Sequence, residues 1–230
     1  MSDWRIYFYP LGFLAAFAFG LRFLVQWIAS EKAGRSVVSS LFWQVSLAGN
    51  MLLLIHSFIQ MQYPMSCIQC FNAVIAWRNL DLMQTQREPR TLAYVVKLLI
   101  FNLIILSLLF AWQWWFVGDQ AWYRIPIAPW QDSQHANDTS LLWHICGIGG
   151  WLLFSSRFWM QWWWVEKDHV SELPSCFWWL SLAGALCSIA YAIKISDSVN
   201  LIGPAFGLIV YIRNLMLIYK TSALTHTSYD

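Results

Sequence analysis

Charge is what this sequence has least of. Of its 230 residues, 11% are Asp, Glu, Lys or Arg, against about 25% in an ordinary soluble domain, which excludes a water-facing globular surface. Fourteen basic and 12 acidic residues leave a net charge of only +2, so no global field is available for nucleic acid and no such partner is expected. Cysteine is scarce as well. The five (Cys67, Cys70, Cys146, Cys176 and Cys187) are an odd number and lie in or beside apolar runs, which excludes a disulfide framework and reads them as small buried hydrophobes. Cys67 and Cys70 form a C-x-x-C without a second pair. The five histidines share no ligand spacing, so no metal is expected. No G-x-S-x-G, P-loop, G-x-G-x-x-G or H-E-x-x-H occurs, which leaves no visible catalytic centre and no cofactor site.

Apolar residues fill the space: 59% of the chain, with 17 tryptophans whose indoles favour the two faces of a bilayer. Runs long enough to cross ~30 Å of hydrocarbon cover about 6–29, 41–61, 64–82, 92–117, 141–165, 176–194 and 198–219. Short polar linkers, MQYP and SDSV, join the second run to the third and the sixth to the seventh, as tight helical hairpins need. The expected class is an all-α integral membrane protein of seven spans.

The chain is written twice. A shift of 135 positions places Arg22 on Arg157, Gln26 on Gln161, Glu31 on Glu166, Ser36 on Ser171, Trp43 on Trp178, Ser46 to Gly49 on Ser181 to Gly184, and Arg78 and Asn79 on Arg213 and Asn214. Between positions 22 and 82, 19 of 61 residues are identical to their counterparts without a gap, and the polar positions match best. This is an internal duplication. Equivalent points are four spans apart, so both copies face the same way: two parallel three-helix bundles joined by a linker helix, as in the transporters called SWEETs. The expected units are residues 1–85, the linker helix and loop at 86–140, the second bundle at 141–222 and a tail at 223–230. Lys32, Arg35, Arg87, Arg90, Lys167 and Lys220 fall on one side, and Arg5, Arg124 and Lys194 on the other. The positive-inside rule then places the N-terminus outside and the C-terminus in the cytoplasm.

An arginine in the middle of a span costs about 2.5–3.5 kcal/mol on insertion scales, and this chain keeps one in each copy. Arg22 and Arg157, with Arg78 and Arg213, converge toward the inner leaflet; Gln26 and Gln161 follow one turn after their arginines, and Asn79 and Asn214 add amides. Two accounts stand. The groups bond one another and fix the bundle, or they form a basic pocket for a phosphate, because a guanidinium fork matches phosphate oxygens. The S-x-x-G faces at Ser46 to Gly49 and Ser181 to Gly184 point to close helix packing. Trp43 and Trp178 begin their helices at the inner interface, as belt anchors or as platforms for a sugar ring.

The sequence R-F-x-x-Q-W, then S-E-K in the first copy (Ser30, Glu31, Lys32), then F-W-x-x-S-L-x-G, then R-N-L resembles the small membrane domain named for the N-terminus of some lipid-A-disaccharide synthases. The likeness covers about 70 residues in each half. It implies a place in lipid A or related glycolipid metabolism, in the inner membrane of a Gram-negative-type bacterium. In the pocket account the chain binds, and moves or presents, a phosphorylated glycolipid or a polyprenyl-phosphate sugar, with membrane lipids as neighbours. The substrate-binding residues are then Arg22, Gln26, Arg78, Asn79, Arg157, Gln161, Arg213, Asn214, Trp43 and Trp178. The alternative is the membrane domain of a lipid-A-disaccharide synthase, which docks a cytosolic glycosyltransferase. In architecture the chain also resembles the SWEET and PQ-loop group, although it has no Pro-Gln dipeptide and Gly203 Pro204 is its only comparable helix break.

Overall fold

A computed structural model describes residues 4–34, 38–117, 122, 124–126, 128–130, 139–168 and 173–226. Arg35, the Ser36 and Ser171 match, His135, His169 and most of the loop at 118–140 lie outside the described residues. A short 3₁₀ turn, Trp4–Phe8, leads into α1 (Pro10–Ala33), followed by α2 (Ser40–Ile59), α3 (Tyr63–Leu82), α4 (Leu92–Val117), α5 (Leu141–Asp168), α6 (Ser175–Lys194) and α7 (Ser198–His226). No β-strand occurs among the described residues. Five helices are long and apolar enough to cross a membrane: α1 with its leading turn, α2, α4, α6 and α7. The two others carry more polar groups. In α3, Ser66, Gln69, Asn72, Arg78, Asn79 and Asp81 are all buried, because neighbours on three sides, α2, α4 and α5, shield this helix from its surroundings.

Helix limits follow local chemistry more than hydropathy. The first helix begins four residues later than expected because Pro10 sits in its first turn, where a missing N–H costs nothing; Gly34, at φ 65° in the left-handed region, ends it. Ser39 opens α2 by accepting from the Phe42 N–H at 3.4 Å. The two hairpin turns repeat each other. Met61 and Ser196, 135 positions apart, both adopt positive φ, 60° and 56°. The following N–H groups, of Gln62 and Asp197, each return to a carbonyl five residues back, Ser57 O and Ala192 O, at 2.8 Å.

Helix contacts give the plan. In each half the middle helix packs on its two sequence neighbours, α1–α2–α3 and α5–α6–α7. The halves then meet twice, α1 against α7 and α3 against α5, which closes six helices into a ring, while α4 packs on α3 outside it. The outer surface is apolar, with Phe17, Phe101, Leu108 and Ile209 exposed, as a lipid-facing surface requires. Gly49 and Gly184 let helices approach. A Cβ on Gly49 would stand 2.8 Å from the Phe19 ring, and one on Gly184 2.5 Å from the Phe154 backbone, so the S-x-x-G faces serve packing.

Two expectations are corrected here. Trp43 and Trp178 are not belt anchors at a surface: both are buried, in one cluster with Phe23, Phe42, Phe158, Phe177 and Tyr211 that spans the two halves. The large indoles pack between the repeats, and burial is tolerable because the Trp178 indole donates to Leu173 O at 3.3 Å. Among the described residues the exposed tryptophans are Trp4, Trp112, Trp114, Trp115, Trp130 and Trp143 toward one end, with Trp163 and Trp179 toward the other. Nor are the cysteines uniformly buried. Only Cys70 is; Cys146 and Cys187 are exposed, since on a lipid-facing helix an apolar thiol is as comfortable outside as inside.

Candidate functional site

Eight of the ten residues singled out in the sequence are polar, and the fold sorts them into two groups. Six belong to the seams between halves. Gln26 and Asn214 exchange amide hydrogen bonds, Gln26 Nε2 to Asn214 Oδ1 at 2.9 Å and Asn214 Nδ2 to Gln26 Oε1 at 3.2 Å. Their counterparts do the same on the other seam, Gln161 Nε2 to Asn79 Oδ1 at 2.8 Å and Asn79 Nδ2 to Gln161 Oε1 at 3.2 Å. Arg213 holds Glu31 at 2.6 Å and Arg78 holds Glu166 at 2.6 Å. Each carboxylate is steadied by the tryptophan one turn before it, Trp27 at 3.0 Å and Trp162 at 2.7 Å. The amide pairs and the arginine–glutamate pairs all join one copy to the other, so the duplicated polar residues exchange partners across the ring.

The sequence showed Glu31 and Glu166 as a matched pair but not what they bond. Their pairing with Arg213 and Arg78 was not legible, because the partner lies in the other repeat. The 135-residue shift contained the signal: residues repeated as a set on helices that end on the same side are able to pair between copies as readily as within one.

Arg22 and Arg157 form the second group. Both are buried, and among the described residues neither meets a carboxylate. Aromatic rings surround them. The Arg22 guanidinium carbon lies 4.8 Å from the Phe19 and Phe23 ring centres, 5.5 Å from Phe42 and 5.3 Å from Phe158. That of Arg157 lies 3.5 Å from Phe154, 4.7 Å from Phe158, 5.5 Å from Phe177 and 5.4 Å from Tyr211. Phe19, Phe23 and Phe42 are the counterparts of Phe154, Phe158 and Phe177, so the cage is duplicated with the cation. Phe19 was missed in the sequence because the comparison began at Arg22.

Phe158 is shared by both cations. Laid end to end, its two distances, 5.3 and 4.7 Å, put the guanidinium carbons no more than 10.0 Å apart. At an effective dielectric of ~20, two like charges at that separation repel by about 1.7 kcal/mol, added to about 2.5–3.5 kcal/mol for placing each in a span. Cation–π contacts return about 0.5–2 kcal/mol apiece, so four rings around each arginine are enough to hold the charge. Ring faces, however, accept no in-plane N–H. Tyr211 takes one bond from Arg157 Nη1 at 3.3 Å, while the Nε atoms of both arginines are buried with no acceptor in the protein. The cages thus compensate the charges but leave each Nε without an acceptor.

Both arginines line a cavity. It lies inside the ring, is lined by all six ring helices, and offers about 70 Å³ to the centres of water-sized spheres, which is room for several water molecules. Arg22 and Arg157 line it with Asn50, Gln69, Asn72, Ser155, Ser188 and Asn200. Ser155 donates to Asn72 Oδ1 at 2.7 Å, whereas Ser188 Oγ and Trp151 Nε1, also on the wall, have no partner in the protein. The expected basic pocket is therefore one cavity between the halves with two arginines on it; Arg78 and Arg213 stand at the seams, paired with acids.

A second buried polar group lies at the hairpin turns. Asp197 accepts from Asn200 N at 3.1 Å, Asn200 Nδ2 at 2.7 Å and Gln62 Nε2 at 3.5 Å. It caps α7 where the equivalent turn of the first repeat has Gln62. Near the other turn, Gln60 donates to the Arg5 backbone O at 3.0 Å and accepts from Arg124 Nη1 at 3.1 Å, while Arg5 Nε donates to Ile59 O at 2.8 Å.

Comparison with known proteins decides what this ring is. The family described as Lipid A Biosynthesis N-terminal domain matches the chain twice, at residues 11–81 and 146–216. The chain belongs to this family. Its two matched segments hold α1–α3 and most of α5–α7, the two halves of the ring. The lipid-A-disaccharide synthase of Chlamydia caviae is 33% identical over 222 residues, covering 94% of this chain and 34% of that protein. The synthase of the same name from Chlamydia muridarum is 33% identical over 214 residues, 92% of this chain and 34% of that protein. The one from Chlamydia pneumoniae is 32% identical over 220 residues, 94% and 34%. The chain thus spans about a third of the length of the curated relatives it matches. No solved structure matches it. A lipid A biosynthesis N-terminal domain in tandem, in a membrane-associated bacterial protein, is what sequence and fold support together.

Proposed function

We propose that this chain is the membrane unit of a lipid-A-disaccharide synthesis system, holding a phosphorylated glycolipid at the bilayer for a cytosolic glycosyltransferase. One observation carries it: 94% of the chain corresponds to a single third of proteins named lipid-A-disaccharide synthase, and in this chain that third is almost wholly apolar helix. In this reading all seven helices cross the inner membrane, as two parallel three-helix repeats joined by α4, with the N-terminus in the periplasm and the C-terminus in the cytoplasm. The closed order of helix contacts and the repeated hairpin turns support the 3+1+3 plan. The basic residues at the ends of α1, α5 and α7 and between α3 and α4 support the orientation. The partner enzyme meets the cytoplasmic end, where the lipid acceptor presents its sugar.

The test is a chimera. The matched third of the Chlamydia caviae synthase is replaced by this chain, and disaccharide formation is measured in washed membranes. Activity that sediments with the membranes is the expected result; an active enzyme found only in the soluble fraction overturns the docking role. Mass spectrometry of lipids retained by the gently extracted chain adds a second measure, with a phosphorylated acyl-sugar expected above the bulk phospholipids.

A further inference from the structure

We propose that the central cavity is a phosphate-class oxyanion site, gripped from the two repeats by Arg22 and Arg157. The site stands on geometry; only the identification of its occupant as a lipid headgroup rests on the function proposed above.

Two buried guanidinium groups approach within 10.0 Å by way of the shared Phe158 ring, and neither has an acidic partner among the described residues. An anion between them would relieve both charges at once. The rings offer the guanidinium groups charge compensation and no hydrogen-bond oxygen, and the edge of a guanidinium is the part of arginine that matches two oxygens of one phosphate. The Nε atom, one end of the fork, is without an acceptor in both residues. Ser188 Oγ and Trp151 Nε1 place two further unpartnered donors on the same wall. Donors therefore come from α1, α5 and α6. No aspartate or glutamate lines the cavity, which a cation site would need. Size is compatible with the class: about 70 Å³ open to the centres of water-sized spheres, room for several waters, admits one tetrahedral oxyanion. A lipid occupant would present its phosphate to the two guanidinium groups.

The experiment uses the full chain purified in detergent, with two probes. Inorganic phosphate is titrated calorimetrically. Dioleoyl phosphatidic acid, a phosphate monoester lipid, is titrated by native mass spectrometry against dioleoyl phosphatidylcholine. We expect saturable binding of phosphatidic acid over phosphatidylcholine, weakened at least tenfold by Arg22→Gln and by Arg157→Gln, and changed less than twofold by Lys194→Gln, at an exposed residue away from the cavity. Binding of inorganic phosphate with the same dependence on both arginines supports the site and assigns it to free phosphate, a result that leaves the chimera test of docking untouched. No saturable binding of either probe by the wild-type chain overturns the proposal, as does binding indifferent to both glutamine variants. Should those variants fail to fold, Arg22→Lys with Arg157→Lys keeps the charge and removes the fork. At least fivefold weaker binding is then expected, and unchanged affinity overturns the grip assigned to the two guanidinium groups.

Discussion

Asp81 has no counterpart in the second repeat, where position 216 is a methionine, and this one difference makes the two seams unequal. Its carboxylate is buried and accepts from Arg78 at 2.8 Å, Arg87 at 2.6 Å and the Arg90 N–H at 2.8 Å. Arg78 in turn reaches the Arg90 carbonyl at 2.6 Å and both oxygens of Glu166. Removing one partner from such a buried network leaves charge uncompensated, at a cost of about 3 kcal/mol or more. Asp81→Ala is therefore expected to lose about 3 kcal/mol of stability in reversible denaturation in micelles, and a loss under ~1 kcal/mol would show that the network is not a lock. Arg213→Gln, at the exposed counterpart, is expected to leave the midpoint unchanged. From sequence, the polar positions of both seams were legible as a repeated set, and so was the oddity of Arg22 and Arg157. Which group bonds which was not legible: partners such as Gln26 and Asn214 are 188 residues apart, and a repeat places two equivalent candidates before every donor.

At the scale of elements, the glycines of α2 and α6 have unequal tasks although their motifs are the same. A Cβ at Gly184 would meet the backbone of Phe154, N and Cα both at 2.5 Å, whereas one at Gly49 would meet the Phe19 ring at 2.8 Å and Ala18 Cβ at 3.3 Å. A ring can turn aside; a helix backbone cannot without parting α5 from α6. Gly184→Ala is expected to cost about 2–3 kcal/mol, the upper range for an overpacked core, and Gly49→Ala about 1 kcal/mol. Gly149→Ala, which meets nothing within 4 Å, should be neutral or gain up to ~1 kcal/mol of helix propensity. Thermal unfolding of the three variants side by side is the check; an order other than this would contradict the packing of α5 on α6. The helices themselves were read from hydropathy nearly to their ends. The exceptions were local: Pro10 and Gly34 moved α1 by one turn, and α7 continues to His226, past the residues apolar enough to count. Tryptophan misled most, because an indole suits both a bilayer surface and a wide internal gap, and only the fold distinguishes Trp43 from Trp163.

The whole molecule is a ring with one guarded and one freer closure. Its orientation is tested directly: a fluorescent protein fused to the C-terminus should light up and alkaline phosphatase at the same point should stay inactive, and the reverse pattern would invert the topology. The two seams then decide how the cavity is reached. At α3–α5 the Arg78 and Glu166 side chains are 4% and 15% exposed, with Asp81 behind them; at α1–α7 the Glu31 and Arg213 side chains are both 39% exposed. The freer seam is also the softer one. Pro204 lies inside α7, where it removes a helix hydrogen bond, and it lines the cavity next to Gly203. The cavity is thus expected to open between α1 and α7, with the Glu31–Arg213 pair as latch and Pro204 as hinge. In a chain whose native cysteines are replaced by serine, Ser188→Cys reports from the cavity wall through its rate of alkylation by a small maleimide. Cysteines introduced at 31 and 213 and joined by a bifunctional methanethiosulfonate should slow that rate at least tenfold. The same tie between 78 and 166 should leave it within twofold, because that seam is already held. An equal slowing by both ties would mean that the ring breathes as a whole, and a slowing only at 78–166 would place the entrance on the opposite seam.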